Sequence, residues 1–244
     1  MGDRHTKATF HTVRILAGCV SVEVGKSGAA MQTKTARTVA LSELEDRFNL
    51  KFSDDPSLFP EWQTDLPELS QEEKDRCDRI KTSYTYLLRY PPLLENTVKM
   101  VVLSPLLDLA GFFLPPFRIQ SEASTEIISE DGDLKVTGFL DVLVLCDSVW
   151  VLAIESKQAA FSLEVGQAQL LSYLLSNPKV GEQPSYGLLT NGSNFIFVKA
   201  IPDQKGLLYT LSDEFSIRRQ GNEISRVLQI LKRLANVLST SSSN

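Results

Sequence analysis

Two acidic residues and a lysine, Asp141, Glu155 and Lys157, form the arrangement in this chain that is best suited to chemistry. Asp141 lies near the start of the apolar run 138–146, and Glu155 and Lys157 end a second apolar run, 149–157. Both runs are short, rich in Val, Leu and Ile, and bounded by turn residues, which predicts two buried strands. Because side chains alternate along a strand, Glu155 and Lys157 share a face, and a neighbouring strand can bring Asp141 beside them.

Two carboxylates beside a lysine fit either a metal site or a buried ion pair. Hard cations such as Mg²⁺ bind oxygen ligands, typically one or two carboxylates together with water and a substrate phosphate. A metal held by Asp141 and Glu155 would activate a water for attack on a phosphodiester, and Lys157 would orient that water or hold the phosphate. Alternatively, Lys157 forms a salt bridge with one carboxylate, because unpaired charge on a buried strand is costly. The three residues alone leave both interpretations open.

Histidine and cysteine chemistry has little support in the sequence. The two histidines, His5 and His11, lie in a polar N-terminal segment outside any predicted core, which argues against a Ser-His-Asp triad or a His-rich zinc site. The three cysteines, Cys19, Cys77 and Cys146, lack the spacing of metal ligands, and their low, odd number is typical of a reducing compartment. Carboxylate and lysine chemistry remains.

Further motifs flank the two strands. Upstream, the segment LLENTVKMVVLSPLLDLAGF (93–112) predicts a helix with Glu95 near its start. Downstream, Gln169 and Tyr173 are spaced by one helical turn and therefore share a helix face. The segment YGLLTNGSNFIFV (186–198) then predicts two strands joined at Thr190-Asn191-Gly192, in which Asn-Gly is a strong hairpin signal.

This order of motifs, with D-x(n)-E-x-K on two adjacent strands, resembles the PD-(D/E)XK nuclease superfamily. It is most similar to the N-terminal nuclease domain of type I restriction enzyme R subunits and their stand-alone bacterial relatives. That branch has an opening helix with an early acidic residue and a P-L-L-x-x-x-G phrase, a Q-x-x-x-Y motif after the lysine, and a T-N-G turn. The resemblance covers roughly residues 93–198. Leu140 stands where the family motif has proline, a departure that the family often tolerates.

The resemblance implies a Mg²⁺-dependent endonuclease, with Mn²⁺ as a substitute, that hydrolyses DNA phosphodiester bonds. Asp141, Glu155 and the backbone carbonyl of Ser156 would hold the metal, and Lys157 and Glu95 would complete the catalytic group. Glu95 also has a simpler explanation, since acidic residues are favoured in the first turn of a helix.

The resemblance assigns substrate contacts to the helix that follows the lysine. Gln169 and Tyr173 are the expected contacts with the DNA strand, and Gln167 on the same helix is a second candidate that is rotated away from Tyr173. Tyr173 can equally be a half-buried aromatic residue of an amphipathic helix.

The charge distribution opposes the nuclease interpretation. The chain has a net charge of −5; residues 41–80 hold twelve acidic against five basic residues, and residues 95–199 hold twelve against six. Proteins that bind nucleic acids usually present a basic patch. We therefore expect weak, salt-sensitive DNA binding, and the alternative function is a non-catalytic binding or assembly module that retains the nuclease fold. The expected weak DNA binding would depend on C-terminal residues, namely Arg218, Arg219, Arg226, Lys232 and Arg233.

The expected architecture is an α/β, restriction-endonuclease-like fold with a mixed central sheet of four to five strands flanked by helices. Residues 1–38 are expected to be a disordered leader or to reflect an upstream translation start, with Met31 as a second plausible start, and residues 39–92 form a helical N-terminal extension. Residues 93–200 form the nuclease-like core, and residues 201–244 add a C-terminal strand and an amphipathic helix packed on that core.

The composition predicts a cytoplasmic enzyme, because no apolar run reaches the length of a membrane span. The sequence has no helicase motor and no DNA-recognition region. The expected partners are therefore DNA and either a second copy of the chain or a separate specificity or motor protein.

Overall fold

The computed structural model describes residues 31–129, 131–146, 149–157, 163–204, 206–221 and 223–241. Within these ranges, nine strands form one mixed sheet. They are β1 (Gln32–Thr35), β2 (Leu50–Phe52), β3 (Phe117–Ile128), β4 (Leu134–Cys146), β5 (Val149–Ser156), β6 (Ser185–Thr190), β7 (Asn194–Asp203), β8 (Gly206–Leu211) and β9 (Phe215–Ser216).

Helices cover both faces of the sheet. They are α1 (Leu41–Arg47), 3₁₀ turns at Pro56–Leu58 and Pro60–Trp62, α2 (Gln71–Leu87), α3 (Glu95–Val98), a π-helical turn (Lys99–Leu103), α4 (Ser104–Leu109), α5 (Glu164–Leu175) and α6 (Glu223–Ser241). One buried apolar cluster joins α2, the helical stretch 95–109 and α6 to one face, and a second joins α1 and α5 to the other. The α/β class predicted from the sequence is confirmed. No helix in the described ranges is both long and apolar enough to cross a membrane.

The expected strand count of four to five is too low. The sheet runs in the order β1-β4-β5-β6-β7-β8-β2, with β3 paired to β4 and β9 paired to β7. The additional strands are mostly short edge strands whose sequences lack a long apolar run, such as Gln-Thr-Lys-Thr in β1. Pairing with a strand already in the sheet supplies the backbone hydrogen bonds that keep such polar segments extended.

Two of these strands also correct the expected division of the chain. β1 lies within the segment expected to be a disordered leader, yet residues 32–35 pair in parallel with residues 134–137 of β4. β2 lies within the expected helical extension and pairs in parallel with β8. Residues 1–30 lie outside the described ranges.

Other predicted elements are confirmed. The apolar runs 138–146 and 149–157 form most of β4 and β5. Helix α2 begins after Ser70, whose hydroxyl accepts from the Glu73 N–H while the Glu73 carboxylate accepts from the Ser70 N–H, a complete capping box. The predicted C-terminal helix is α6.

The edge of β4 opposite β3 has a gap in its pairing. β3 pairs with one edge of β4 over nearly the whole length of β4. The other two partners of β4, namely β1 and β5, therefore share its opposite edge. There β1 pairs with residues 134–137 and β5 with residues 142–146; within the described ranges, no strand pairs with residues 138–140 on that edge. Asp141 lies at the end of this gap, where β5 begins to pair.

The gap is filled by a side chain from α5. Gly138 lies against Ala36 and the ring of Tyr173, and a Cβ at this position would be 2.8 Å from the Ala36 Cβ and 2.9 Å from the Tyr173 Cε1. The Tyr173 hydroxyl also donates to the carbonyl of Phe139 at 2.9 Å. Tyr173 thus supplies a hydrogen bond that a neighbouring strand would otherwise make.

We expect Gly138→Ala to lower the free energy of unfolding by about 1–3 kcal/mol, because the added methyl overpacks the contact with Ala36 and Tyr173. Urea unfolding of Gly138→Ala, Ala36→Gly and the double variant measures the effect. The two changes should be coupled, with the double variant less destabilised than the sum of the single ones. Strict additivity would contradict this packing.

Candidate functional site

The strand register brings Asp141 and Glu155 together. Val142 of β4 pairs with Ile154 of β5, so the next position in the same register sets Asp141 opposite Glu155. Directly opposite residues of an antiparallel pair point to the same face, with Cβ atoms about 4.5–5.5 Å apart. Both are buried, with Glu155 1% and Asp141 8% exposed. The two carboxylates therefore lie close together with little access to water.

Lys157 lies on the same face and contacts Glu155. Its Nζ is 2.5 Å from Glu155 Oε1 and donates to Gln169 Oε1, also at 2.5 Å. Its backbone N–H donates to the carbonyl of Thr190 at the end of β6, which fixes the start of its side chain. The geometry includes the buried ion pair that the sequence offered as an alternative to a metal site.

Gln169 and Tyr173 lie behind this lysine. Gln169 Nε2 donates to the Tyr173 hydroxyl at 2.7 Å, and that hydroxyl donates to the Phe139 carbonyl. The side chains of Gln169 and Tyr173 are both buried. The hydrogen bonds run from Lys157 through α5 to β4, so this arrangement favours a role in positioning Lys157 over the expected contact with a DNA strand.

A second lysine, Lys99, lies between two carboxylates and was not singled out in the sequence. Its Nζ is 2.8 Å from Asp141 Oδ1 and 2.8 Å from Glu95 Oε1. Burial by itself would lower the pKa of Lys99, but the hydrogen bonds and charges of Asp141 and Glu95 outweigh that effect and raise it. The four-residue spacing of Glu95 and Lys99 could have indicated from the sequence that these two residues pair, although such pairs are also common on solvated helix surfaces.

The helix that carries Lys99 is locally widened. Ser104 donates its N–H to the carbonyl of Lys99 five residues earlier, so residues 99–103 form a π-helical turn. Pro105 follows at the start of α4 and has no N–H to donate, which weakens regular α-helical bonding at this point. Single π turns are frequent at functional sites. We refer to Glu95, Lys99, Asp141, Glu155 and Lys157 together as the charged cluster.

The acidic residues of the charged cluster affect one another's ionisation. Burial, followed by the charge of Asp141, raises the pKa of Glu155 to about 7, with a smaller contribution from Glu95, although the nearby Lys157 acts in the opposite direction. Burial also opposes ionisation of Glu95, but the hydrogen bond and charge of Lys99 lower its pKa overall. Glu155 is therefore less able than Glu95 to hold a negative charge.

The chemistry of the charged cluster fits a hard divalent cation. Carboxylate oxygens are the ligands that Mg²⁺ and Mn²⁺ prefer, and Glu155 Oε2 is a buried oxygen with no hydrogen-bond partner. Over the described ranges, however, no group of three or more His, Cys, Asp or Glu side chains is spaced to hold a metal ion. The ammonium groups of Lys99 and Lys157 bind carboxylates of the cluster instead.

The remaining predicted residues lie around this cluster. Ser156 pairs with Thr190 in the parallel ladder between β5 and β6. Gln167 lines a cavity of about 280 Å³ near the start of α5, whose lining includes no residue of the charged cluster. The Thr190-Asn191-Gly192 turn is structural: Gly192 has a φ of +81°, and a Cβ there would be 2.8 Å from the Tyr84 ring.

The C-terminal basic residues are mostly bound within the chain. Contacts are Arg219 with Glu223, Arg226 with the carbonyls of Trp62 and Gln63, Lys232 with Glu73, and Arg233 with Asp65. Three of these four attach α6 to residues 62–73. Part of the positive charge on which DNA binding was expected to depend is therefore paired within the chain, while Arg218 and Arg219 are exposed.

We expect Glu155→Gln to stabilise the metal-free protein at pH 8 and to do so less at pH 5. A folded-state pKa raised to about 7 means that the native protein binds more protons than the unfolded chain, so Glu155 costs stability as the pH rises from about 4.5 to 7. The gain at pH 8 should be on the order of 1–3 kcal/mol. Urea unfolding in EDTA measures it, with exposed Glu182→Gln as the control. A less stable Glu155→Gln variant at pH 8 would contradict the assignment.

We expect Lys157→Met to lower stability by about 3 kcal/mol at pH 8, because it leaves a buried carboxylate without its cation. At pH 5 the loss should be smaller, since Glu155 is then protonated in the folded state. The same unfolding experiment tests this, and Glu155→Gln combined with Lys157→Met should recover part of the loss. An equal loss at both pH values would show that the lysine contributes by packing alone.

Comparison with known proteins does not assign this chain to a family. The chain matches no protein-family model, and no curated protein is significantly similar to it. The function is therefore argued from the charged cluster, its surroundings and the motifs of the sequence.

Proposed function

We propose that this chain is a Mg²⁺-dependent endodeoxyribonuclease, with Mn²⁺ as a substitute, that hydrolyses DNA phosphodiester bonds. The observation that carries the proposal is the charged cluster itself, in which three carboxylates lie close together and one buried carboxylate oxygen, Glu155 Oε2, has no hydrogen-bond partner among the described residues. Such an arrangement is costly without a cation, and this cost supports a binding function. The order of motifs, which resembles that of PD-(D/E)XK nucleases, adds the reaction class.

The proposed ligands are Asp141, Glu155 and the backbone carbonyl of Ser156. A bound Mg²⁺ would supply Lewis-acid chemistry, lowering the pKa of a water and stabilising charge on the scissile phosphate. Glu95 is the third carboxylate of the charged cluster and would accept a hydrogen bond from a water. Its partial exposure leaves it better placed than Glu155 for that contact.

Lys157 is the proposed group that orients the attacking water or holds a phosphate oxygen. Its position is set at both ends, by the backbone bond to Thr190 and by the side chain of Gln169. Gly166 on α5 permits this placement, since a Cβ there would be 3.2 Å from Lys157 Cε. Gln169 and Tyr173 would then act through the lysine, keeping its ammonium within reach of Glu155.

Substrate would approach from the side of Glu95 and Lys99, the most exposed members of the charged cluster. Two exposed apolar side chains adjoin this side in the sequence, Met100 next to Lys99 (73% exposed) and Phe139 two residues before Asp141 (68% exposed). Apolar and aromatic surface next to a phosphate-binding group is suited to the sugar and base portions of a nucleic acid.

A second candidate is a non-catalytic binding or assembly module that retains the nuclease fold. Two observations favour it: lysines already pair with the carboxylates of the cluster, and the C-terminal basic residues are mostly bound within the chain. An acidic protein whose C-terminal basic residues are mostly paired would bind DNA weakly by itself. This candidate predicts neither metal binding nor cleavage.

The proposed nuclease should nick plasmid DNA at low ionic strength and high enzyme concentration, and only with Mg²⁺ or Mn²⁺. Asp141→Ala should abolish the nicking, because it removes a proposed metal ligand, while exposed Glu182→Gln should leave it unchanged. Gel analysis of supercoiled plasmid with and without EDTA measures both. Wild-type protein that neither binds Mn²⁺ by calorimetry nor cleaves under these conditions would establish the binding module as the better account.

A further inference from the structure

Lys99 occupies the position at which a cation would bridge Glu95 and Asp141. Its Nζ is 2.8 Å from a carboxylate oxygen of each residue, one on the helical stretch 95–109 and one on β4. The Glu95 and Asp141 carboxyl groups therefore lie on either side of one ammonium. An ammonium in this position neutralises carboxylates that would otherwise repel at close range.

We propose that Lys99 is a tethered cation that competes with a divalent metal for the Asp141 carboxylate, which it bridges to Glu95, and must swing outward when the metal binds. The inference rests on the proposed metal-dependent function and adds a residue that sets the metal affinity. Lysine is suited to this task because its charge is a compact point on a flexible four-carbon stem, which can leave without moving the helix.

The charge balance of the cluster favours a metal that replaces a lysine ammonium over a metal that is added with both lysines in place. Three carboxylates, if all are ionised, face two ammonium groups, which leaves one negative charge. Adding a divalent cation with both lysines in place would leave one positive charge in a poorly solvated site. Displacing one ammonium as the metal enters leaves the site neutral, which is less costly where water is scarce.

Lys99 is the lysine that is able to leave. Its side chain is 23% exposed, against 12% for Lys157, and it lies on the exposed side of the cluster. Lys157 is further held by Gln169 and by its backbone bond to Thr190. Lys99 is also the first residue of the π-helical turn, where the helix departs from regular α-helical bonding.

Calorimetric titration of Mn²⁺ into metal-free protein, without DNA, tests the inference. Lys99→Gln should bind Mn²⁺ at least about tenfold more tightly than wild type, whereas Lys99→Arg, which keeps a cation in place, should not gain affinity. Lys34→Gln is a matched control, because Lys34 pairs with Glu43 at 2.7 Å with side-chain exposures of 28% and 23%, close to the 23% and 29% of Lys99 and Glu95. It should leave the affinity unchanged.

Thermal melting supplies a second readout. In EDTA, Lys99→Gln should melt at a lower temperature than wild type because Glu95 and Asp141 then repel, and Mn²⁺ should raise its melting temperature more than it raises that of wild type. Equal or weaker Mn²⁺ binding by Lys99→Gln overturns the inference. If Lys99→Gln is too unstable to titrate, the titration of Lys99→Arg decides instead. Tighter Mn²⁺ binding by Lys99→Arg than by wild type would also overturn the inference.

Plasmid cleavage by wild-type protein separates this inference from the proposed function. Cleavage together with equal Mn²⁺ affinities in wild type and Lys99→Gln would overturn the role of Lys99 and leave the nuclease proposal standing. Tight Mn²⁺ binding by Lys99→Gln alone, without wild-type cleavage, would support the competing lysine and overturn the nuclease. The absence of Mn²⁺ binding in every variant would overturn both.

Discussion

Repulsion among three carboxylates, two on the interior strands β4 and β5 and one on α3, governs the site. Glu95, Asp141 and Glu155 are close enough to affect one another's ionisation, and the pKa of Glu155 rises to about 7 as burial and the charge of Asp141 combine. Lys99 and Lys157 offset part of this repulsion. A protein selected for stability alone would gain by replacing such a group with apolar residues, since buried ion pairs are seldom better than packed hydrocarbon. This cost to stability is the physical basis of the proposed metal-binding role.

The fold creates the site beside a gap along one edge of β4. Between the end of β1 and the start of β5, no described strand pairs with residues 138–140 of β4 on that edge, and the Tyr173 hydroxyl supplies a hydrogen bond there. The same hydroxyl accepts from Gln169, which in turn accepts from Lys157. These hydrogen bonds link the backbone of β4 to the side chain of Lys157, so the position of Lys157 depends on the geometry of the gap.

The sequence predicted the strands and the convergence of their charges because both follow from local rules. Long apolar runs with turn residues at their ends indicated β4 and β5, and side-chain alternation placed Glu155 and Lys157 on one face. The polar β1 could not be predicted, since its extended conformation depends on pairing with residues 134–137 of β4. Lys99 was missed for a related reason: a lysine four residues after a glutamate is usually a solvated surface pair, and only the tertiary contact with Asp141 distinguishes it.

The burial of Gln169 was also beyond the sequence, and that of Tyr173 was one of two interpretations left open. Their shared helix face was correctly inferred from their spacing, but the pattern does not say whether that face meets solvent or the edge of a sheet. The structure places it against β4, where both side chains hydrogen-bond within the protein. This contact changes their expected role from contacting DNA to fixing the lysine.

A crystal structure of the wild-type protein grown with Mn²⁺, with anomalous scattering used to locate the ion, tests the central claim most directly. The account predicts an anomalous peak within bonding distance of the Asp141 and Glu155 carboxylates, with the Lys99 ammonium turned away from Asp141. A Lys99 ammonium that still bridges Glu95 and Asp141 in crystals saturated with Mn²⁺, with no peak at the charged cluster, would contradict it.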